Sequence, residues 1–367
     1  MLRKWHWEQI TVILQGNCKY QAMKIIIDIS HPAHVHFFRY AYEIWQERGH
    51  QVKLVARDKD VTLKLLDDYH YPYEVLSKQG SGLTGLSLEL MTHASKLYKL
   101  AKDFKADVIM EIGGTFIVHV CKLLGINGIV FTDTEHAKLS NAITFPFATK
   151  ICTPTCYIDD LGKKQVRYNG FQELAYLHPN YFKANPESLT ESGLQKDEKF
   201  YVIRFVSWGA SHDVGKVGLT DEQKIRLVNG LTRHGKVLIA SEGALPPELE
   251  AYKVRVSPTK IHDLMYYASM YVGEGATMAS ESAILGTPSV YINPLILGYI
   301  NEINHKYHLL HQFSEGDPAI EKVLELAENP NLKEEYRPRH DQMLNDKTDV
   351  TAWMVSFIES LAARKSS

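Results

Sequence analysis

A chain of 367 residues with 41 Lys and Arg against 43 Asp and Glu carries a formal net charge of −2 and offers no basic field to nucleic acid. Its 45% hydrophobic and 23% charged residues are ordinary for a folded chain, and the length is ample for two domain cores. No apolar run reaches membrane-spanning length, so a cytoplasmic location is expected. The four cysteines, Cys18, Cys121, Cys152 and Cys156, are too scattered for a disulfide framework. Cys152 and Cys156 lack the second pair of a zinc site and read as buried thiols, so no metal is expected.

Residues 1–22 hold two Trp and an ITVIL run without a period, and read as an extension outside the fold or as an arm. Lys24 to Ser30, KIIIDIS, is a continuous apolar strand of the buried parallel type. The stripe Phe37, Phe38, Ala41, Ile44 and Trp45 then marks an amphipathic helix that stops at Gly49, and QVKLVAR is the next strand. A β-α-β unit at the start of a domain places its first loop where ligands bind. That loop holds Ser30, His31, His34 and His36, and three readings stay open: a sugar-nucleotide site, histidines capping the helix, or a metal site. A helix, a strand near Tyr73 to Leu76, a Ser/Gly-rich loop and a long helix with a basic outer face follow. Asp107 to Gly114 and IVFTD are two further buried strands. After the second, Asp133, Glu135 and His136 crowd one turn at a strand's carboxyl end. They suit a general base and contacts to sugar hydroxyls, or a helix N-cap made by Thr or Asp. KQVRYNGFQELAYLHPNYF loses its period and reads as a crossing linker.

FYVIRFVS opens a second domain; Arg204 within that strand and His212 in the Gly-rich loop after it are groups to neutralise a leaving diphosphate, unless Arg204 is paired internally. Helix, strand and the segment through Ile261 follow, and then Gly273 to Pro288, GEGATMASESAILGTP. It reads as a Gly-rich turn opening a short helix that Gly286-Thr287-Pro288 ends. Backbone N–H groups at Gly275, Ala276 and Thr277 suit a diphosphate at a helix N-terminus, and Glu281, one turn on, suits ribose hydroxyls; alternatively the glycines only make a tight turn. Tyr299, Asn301 and Glu302 begin a later helix, and 349–364 is helical.

The Gly-rich turn followed by E-x-x-x-x-G-x-P resembles the donor site of GT-B glycosyltransferases. It is similar to that of the lipid II N-acetylglucosaminyltransferase and of non-hydrolysing UDP-N-acetylglucosamine 2-epimerases. The resemblance implies that the turn holds the donor diphosphate and Glu281 the ribose, that Ile261 reads the base edge, and that His34 matches a loop histidine of the transferase. It also implies that His212 resembles an epimerase loop histidine. The chain departs at Pro32-Ala33, where the transferase has glycines, and at Gly275-Ala276-Thr277, where relatives carry Ser-Gly. HPAHVHFF, FTDTEHA, YNGFQELAYLHP, RFVSWGASHD and GEGATMASESAILGTP together resemble a GT-B-like group, domain-of-unknown-function family 354, from Met23 almost to the end.

The expected architecture is α/β: two Rossmann-like domains with an interdomain cleft, GT-B type. The domains are 23–185 on the acceptor side and 186–348 for the nucleotide sugar, with 349–367 as a helix returning to the first. The expected activity is metal-independent sugar transfer from a nucleotide donor, UDP-linked, with His34, Asp133, Glu135 and His212 catalytic and no cofactor beyond the substrate. A nucleotide-sugar epimerase and a non-catalytic sugar-nucleotide-binding protein are the alternatives. The acceptor, glycan or lipid, is undefined, no nucleic-acid partner is expected, and peripheral membrane contact stays open.

Overall fold

The computed structural model describes residues 21–195, 197–206, 218–241, 243–254, 257 and 259–363. The first half contains, in order, β1 Lys24–Ile29, α1 Pro32–Glu47, β2 Gln51–Asp58, α2 Thr62–Asp68, β3 Tyr73–Lys78, α3 Gly82–Phe104, β4 Val108–Ile112, α4 Val118–Leu124, β5 Asn127–Phe131, α5 Lys138–Thr144, β6 Lys150–Pro154 and β7 Gln165–Tyr168. Short helices α6 Leu174–Leu177 and α7 Glu187–Glu191 lead to β8 Phe200–Phe205, α8 Asp221–Leu231, β9 Lys236–Ser241, α9 Ile261–Tyr267, β10 Met270–Gly273 and α10 Ala276–Ile284. The chain ends with β11 Ser289–Ile292, α11 Gly298–His305, β12 Leu310–Phe313, α12 Gly316–Glu328, α13 Leu332–Asp346 and α14 Val350–Ala363.

Seven parallel strands form one sheet in the order β3-β2-β1-β4-β5-β6-β7, and five form another in the order β12-β11-β10-β8-β9. The apolar run of β1 is explained by burial on both faces. Ile25, Ile27 and Ile29 pack with Phe37, Phe38 and Trp45 of α1, while Ile26 packs with Val55, Ile109 and Val130 on the opposite face. Each such side chain taken from water stabilises the fold by about 1.5–3 kcal/mol.

Each sheet reverses its winding once, between β1 and β4 and between β8 and β10, and ligands of open α/β sheets bind at the carboxyl ends beside such reversals. The His31–His34 loop follows β1, and the Gly273–Gly275 turn follows β10. The two reversals therefore face the groups singled out from sequence.

The chain passes between the halves twice, and the passages lie together. Thr348 N donates to Asn169 O at 2.8 Å, Asn169 Nδ2 to Asp346 O at 2.7 Å, and Asn180 Nδ2 to Asp349 Oδ2 at 2.8 Å. Beyond the second passage, α14 packs on α1 and α6.

Candidate active site

Pro32 at the first turn of α1 pre-sets the helical φ, and the His31 ring accepts from Ala33 N at 3.2 Å as the N-cap. This start fixes where the three histidines point. His31 and His34 line a cavity of about 170 Å³ with Phe37, Asp133, Thr134, Gln172, Glu173, Tyr176, Thr277 and Tyr299. His36 turns elsewhere, edge-on to His262 at 4.9 Å between ring centroids. The histidines do not converge, and among the described residues no group of three or more His, Cys, Asp or Glu side chains could hold a metal ion.

The cavity draws on both halves of the chain. Asp133 and Thr134 come from the loop after β5, Gln172 to Tyr176 from the segment around α6, Thr277 from the first turn of α10, and Tyr299 from α11. Two of its walls carry buried polar atoms with no partner, Gln172 Nε2 and Glu173 Oε2. Two buried polar atoms left open around one cavity are the mark of a place for a polar ligand, because each open group costs about 1–3 kcal/mol until it is bonded.

Electrostatics divide the two cavity carboxyls. Burial, followed by the nearby Asp133, pushes the Glu173 carboxyl up to about 8, while Ser280 Oγ donates to its Oε1. Burial pushes Asp133 up to about 6, against the pull of a 3.0 Å hydrogen bond from Thr134 Oγ1. Near neutral pH, Glu173 keeps its proton and Asp133 is largely ionised yet basic, which is the arrangement of a general acid and a general base. His34 is held well below the usual imidazole range by burial and by His31 and Lys59, so its ring is neutral.

Beneath the cavity a polar network runs into the first sheet. His34 Nδ1 lies 3.3 Å from Ser30 Oγ, which donates to Glu111 Oε1 at 3.1 Å. Burial, with Asp28 nearby, raises the Glu111 carboxyl well above the carboxylate range. Asp28 Oδ2 meets His93 Nε2 at 2.7 Å, and His93 Nδ1 meets Ser77 Oγ at 2.8 Å.

On the other side of the cleft, Gly275 is the N-cap of α10, with Ala276 and Thr277 in its first turn. The first N–H groups of a helix have no partner within it and attract an anion. Gly273 is required here, since a Cβ would come 2.2 Å from Tyr271 Oη. Glu274, buried in the turn, accepts from Val206 N at 3.1 Å and from Leu219 N at 2.7 Å, and so holds the end of β8 and the approach to α8 together. His212 itself lies outside the described residues. Arg204 is half-buried on β8 and pairs in register with Gly273.

Glu281 is buried in α10, where its Oε1 accepts from Tyr176 Oη at 2.7 Å and meets His262 Nε2 at 3.0 Å. A ribose would have to compete with both. Ile261 is half-buried at the start of α9. Ser30 holds His34 and Glu111. Glu135 and His136 part from Asp133. Glu135 Oε1 accepts from Ile158 N and Gly298 N, each at 3.2 Å, and lines a second cavity, while His136 is exposed and lines neither. Sequence reasoning read Gln172, Glu173 and Tyr176 as linker. Their one signal was that YNGFQELAYLHP fits the family pattern.

Residues 23–355 match the family described as Protein of unknown function (DUF354). The chain belongs to this family. An uncharacterized protein of Methanocaldococcus jannaschii is 23% identical over 306 residues, which span 79% of this chain and 87% of that protein. Among solved structures, the UDP-GlcNAc 2-epimerase of Neisseria meningitidis bound to UDP-GlcNAc superposes with a TM-score of 0.63 at 11% identity, covering 93% of this chain and all of that one. The UDP-GlcNAc 2-epimerase of M. jannaschii gives 0.61 at 12% identity, covering 83% and 92%. A glycosyltransferase of Streptomyces sp. SF2575, SsfS6, gives 0.57 at 12% identity, covering 92% and 99%. At such identities the likeness establishes the fold: two parallel α/β sheets, Rossmann-like, of the GT-B type shared by glycosyltransferases and these epimerases. No described helix is long and apolar enough to cross a membrane.

Proposed function

We propose that this family member is a glycosyltransferase that binds a nucleotide-diphosphate sugar in the cleft, the diphosphate at the start of α10 and the sugar in the cavity, without a metal. One observation carries the reading: the open Gln172 Nε2 and Glu173 Oε2 stand around the same cavity as Asp133 and the α10 residue Thr277. In the transfer, an acceptor hydroxyl attacks the anomeric carbon, its proton passes to Asp133, and the bonding pair of the breaking C–O bond leaves with the nucleotide diphosphate. The α10 N–H groups stabilise the charge that develops on it. A UDP-linked donor is consistent with the UDP-GlcNAc held by the Neisseria protein of the same fold.

The test is ligand-induced thermal stabilisation across UDP, GDP, CDP, dTDP and their sugars, repeated on Ala276→Glu. An acidic residue in the first turn suits a helix N-terminus, but its charge repels a diphosphate; Ala276 is half-buried against the core, so the melting temperature of the free variant checks that it folds. Saturating nucleotide adds a few kcal/mol of stability. Stabilisation by one nucleotide family, lost in Ala276→Glu, is the expected result, and no shift with any nucleotide ends the reading.

A specific observation also favours a second reading. A protonated Glu173 and a basic Asp133 around one cavity suit an epimerase, which moves a proton on the sugar and needs no acceptor. Incubation of the stabilising nucleotide sugar in deuterated water separates the two: deuterium on the sugar carbon without an acceptor marks the epimerase, and release of nucleotide diphosphate only when an acceptor is added marks the transferase.

A further inference from the structure

The loop after β5 has two sides. Asp133 serves the cleft, and Glu135, two residues on, lines a separate cavity of about 610 Å³ between α5 and the segment joining β6 to β7. This second cavity is the larger, and no role described above uses it. Its walls are mainly apolar, with Phe145, Pro146, Ile151 and Leu161.

Six of the lining side chains are polar or charged, Asn141 and Asp159 among them, and two, Glu135 and Tyr157, carry a buried atom left open. Glu135 is 8% exposed and its Oε2 has no partner; Tyr157 is 3% exposed and its hydroxyl has none. The two are neighbours, since Glu135 Oε1 accepts from the N–H of Ile158, the residue after Tyr157, at 3.2 Å; burial, followed by the Glu135 charge, raises the Tyr157 hydroxyl. Native proteins pair nearly all buried polar atoms, so an open acceptor and an open hydroxyl in one cavity wall call for a common partner. Lys138 stands exposed at the rim, and Lys164 is occupied with the carbonyl oxygens of Phe145 and Pro146 at the end of α5.

α5 and the chain just beyond its end also carry an exposed apolar stripe. Leu139 and Ile143 lie one helical turn apart on α5, with Phe147 one turn's length beyond, and these three are 80%, 46% and 42% exposed. Lys138, Ala142 and Phe145, which line the cavity, fall on another face of α5, so this exposed stripe is separate from the cavity wall.

We propose that this cavity is a second small-molecule site, one that takes a hydroxylated amphiphile. The ligand's hydroxyl donates to Glu135 Oε2 and a neighbouring oxygen accepts from Tyr157 Oη, while its alkyl or aryl body lies along Phe145, Ile151 and Leu161. The site stands apart from the nucleotide reading, since none of these residues lines the cleft cavity.

The test is calorimetric titration of the full chain, without nucleotide, with octyl β-D-glucoside below its micelle concentration, and with methyl β-D-glucoside as the ligand lacking the apolar body. Two variants accompany it. Ala142→Trp fills the cavity mouth from an exposed position on α5. Glu135→Gln keeps an oxygen for Ile158 N and Gly298 N and replaces the open acceptor with an N–H₂ donor. Octyl glucoside binds the parent protein, binding is lost in Ala142→Trp, and affinity falls roughly tenfold in Glu135→Gln, the size of one lost hydrogen bond. Methyl glucoside does not bind. Absent binding by the parent, equal binding by Ala142→Trp, or equal binding of the two glucosides overturns the proposal. UDP stabilisation measured in parallel on Ala142→Trp reports on the cleft alone, so failure of one site is not read as failure of the other.

Discussion

The Tyr176 hydroxyl donates to Glu281 Oε1 at 2.7 Å, and His262 Nε2 meets the same oxygen at 3.0 Å. One carboxylate oxygen thus joins the segment that leaves the first sheet to two helices of the second. All three residues are buried. A hydrogen bond to a charged group contributes about 1.5–3 kcal/mol. Tyr176→Phe is expected to cost about that much in urea unfolding. In a double-mutant cycle with Glu281→Ala the two losses are expected to fall short of their sum, because they remove one interaction. Additive losses would show that the contact carries no energy.

Asp28 and His93 are each 0% exposed and meet at 2.7 Å, with Phe116 stacked on the imidazole at 4.1 Å between ring centroids. Asp28 Oδ1 is already without a partner. His93→Phe therefore strips a fully buried carboxyl of its remaining bond, at a cost of about 3–5 kcal/mol. Adding Asp28→Leu removes the stranded group and is expected to recover most of the loss. A double variant no more stable than His93→Phe would refute the pairing.

Glu173 gives a pH dependence with a definite sign. Its folded carboxyl titrates near 8, against about 4.3 for an unperturbed Glu, so above the lower value the unfolded state has lost a proton that the folded state still holds. Its contribution to stability is fully present below about pH 4 and is lost progressively up to about pH 8, at up to about 1.4 kcal/mol per pH unit. Glu173→Gln removes the titration and keeps an oxygen for Ser280. The stability of the variant relative to the parent should rise from pH 5 to pH 8 in denaturant titrations; a constant difference would exclude a raised Glu173.

Gly298 brings the two halves into close approach. A Cβ there would come 2.1 Å from Cys156 O and 2.7 Å from Glu135 Oε1, both in the first half. Gly298→Ala should destabilise by about 1–3 kcal/mol, as overpacking does, and shift Tyr299 in the cleft wall. Nucleotide affinity and melting temperature are expected to fall together. A variant with unchanged melting would place the backbone farther apart than this structure does.

Much of the architecture was legible because parallel strands buried on both faces leave long apolar runs. KIIIDIS, DVIMEIGG and FYVIRFVS are strands β1, β4 and β8 with their approaches, and the stripe from Phe37 to Trp45 is the buried face of α1. His34, Asp133 and Thr277 were legible as site candidates because each follows the carboxyl end of a strand, and the fold brings them to one cavity. Glu173 was not. It sits in an aperiodic stretch, and its meaning comes from Asp133 and Ser280, 40 and 107 residues away along the chain. Nor does spacing reveal that Glu135 turns from Asp133. That separation depends on Gly298 N, contributed from the other half of the molecule.

The paired passages at Asn169, Asn180 and Thr348 also govern mechanics. A single tether is a point about which two bodies swivel freely; two tethers bound side by side act as the knuckles of a door and define a line. With α14 packed on the first half beyond the second knuckle, any hinge motion of the halves is expected to follow that line, which would make opening of the cleft a movement with one coordinate. Whatever enters between Asp133 and Thr277 therefore sets a single angle, and every ligand of the cleft can be ranked by the angle it holds.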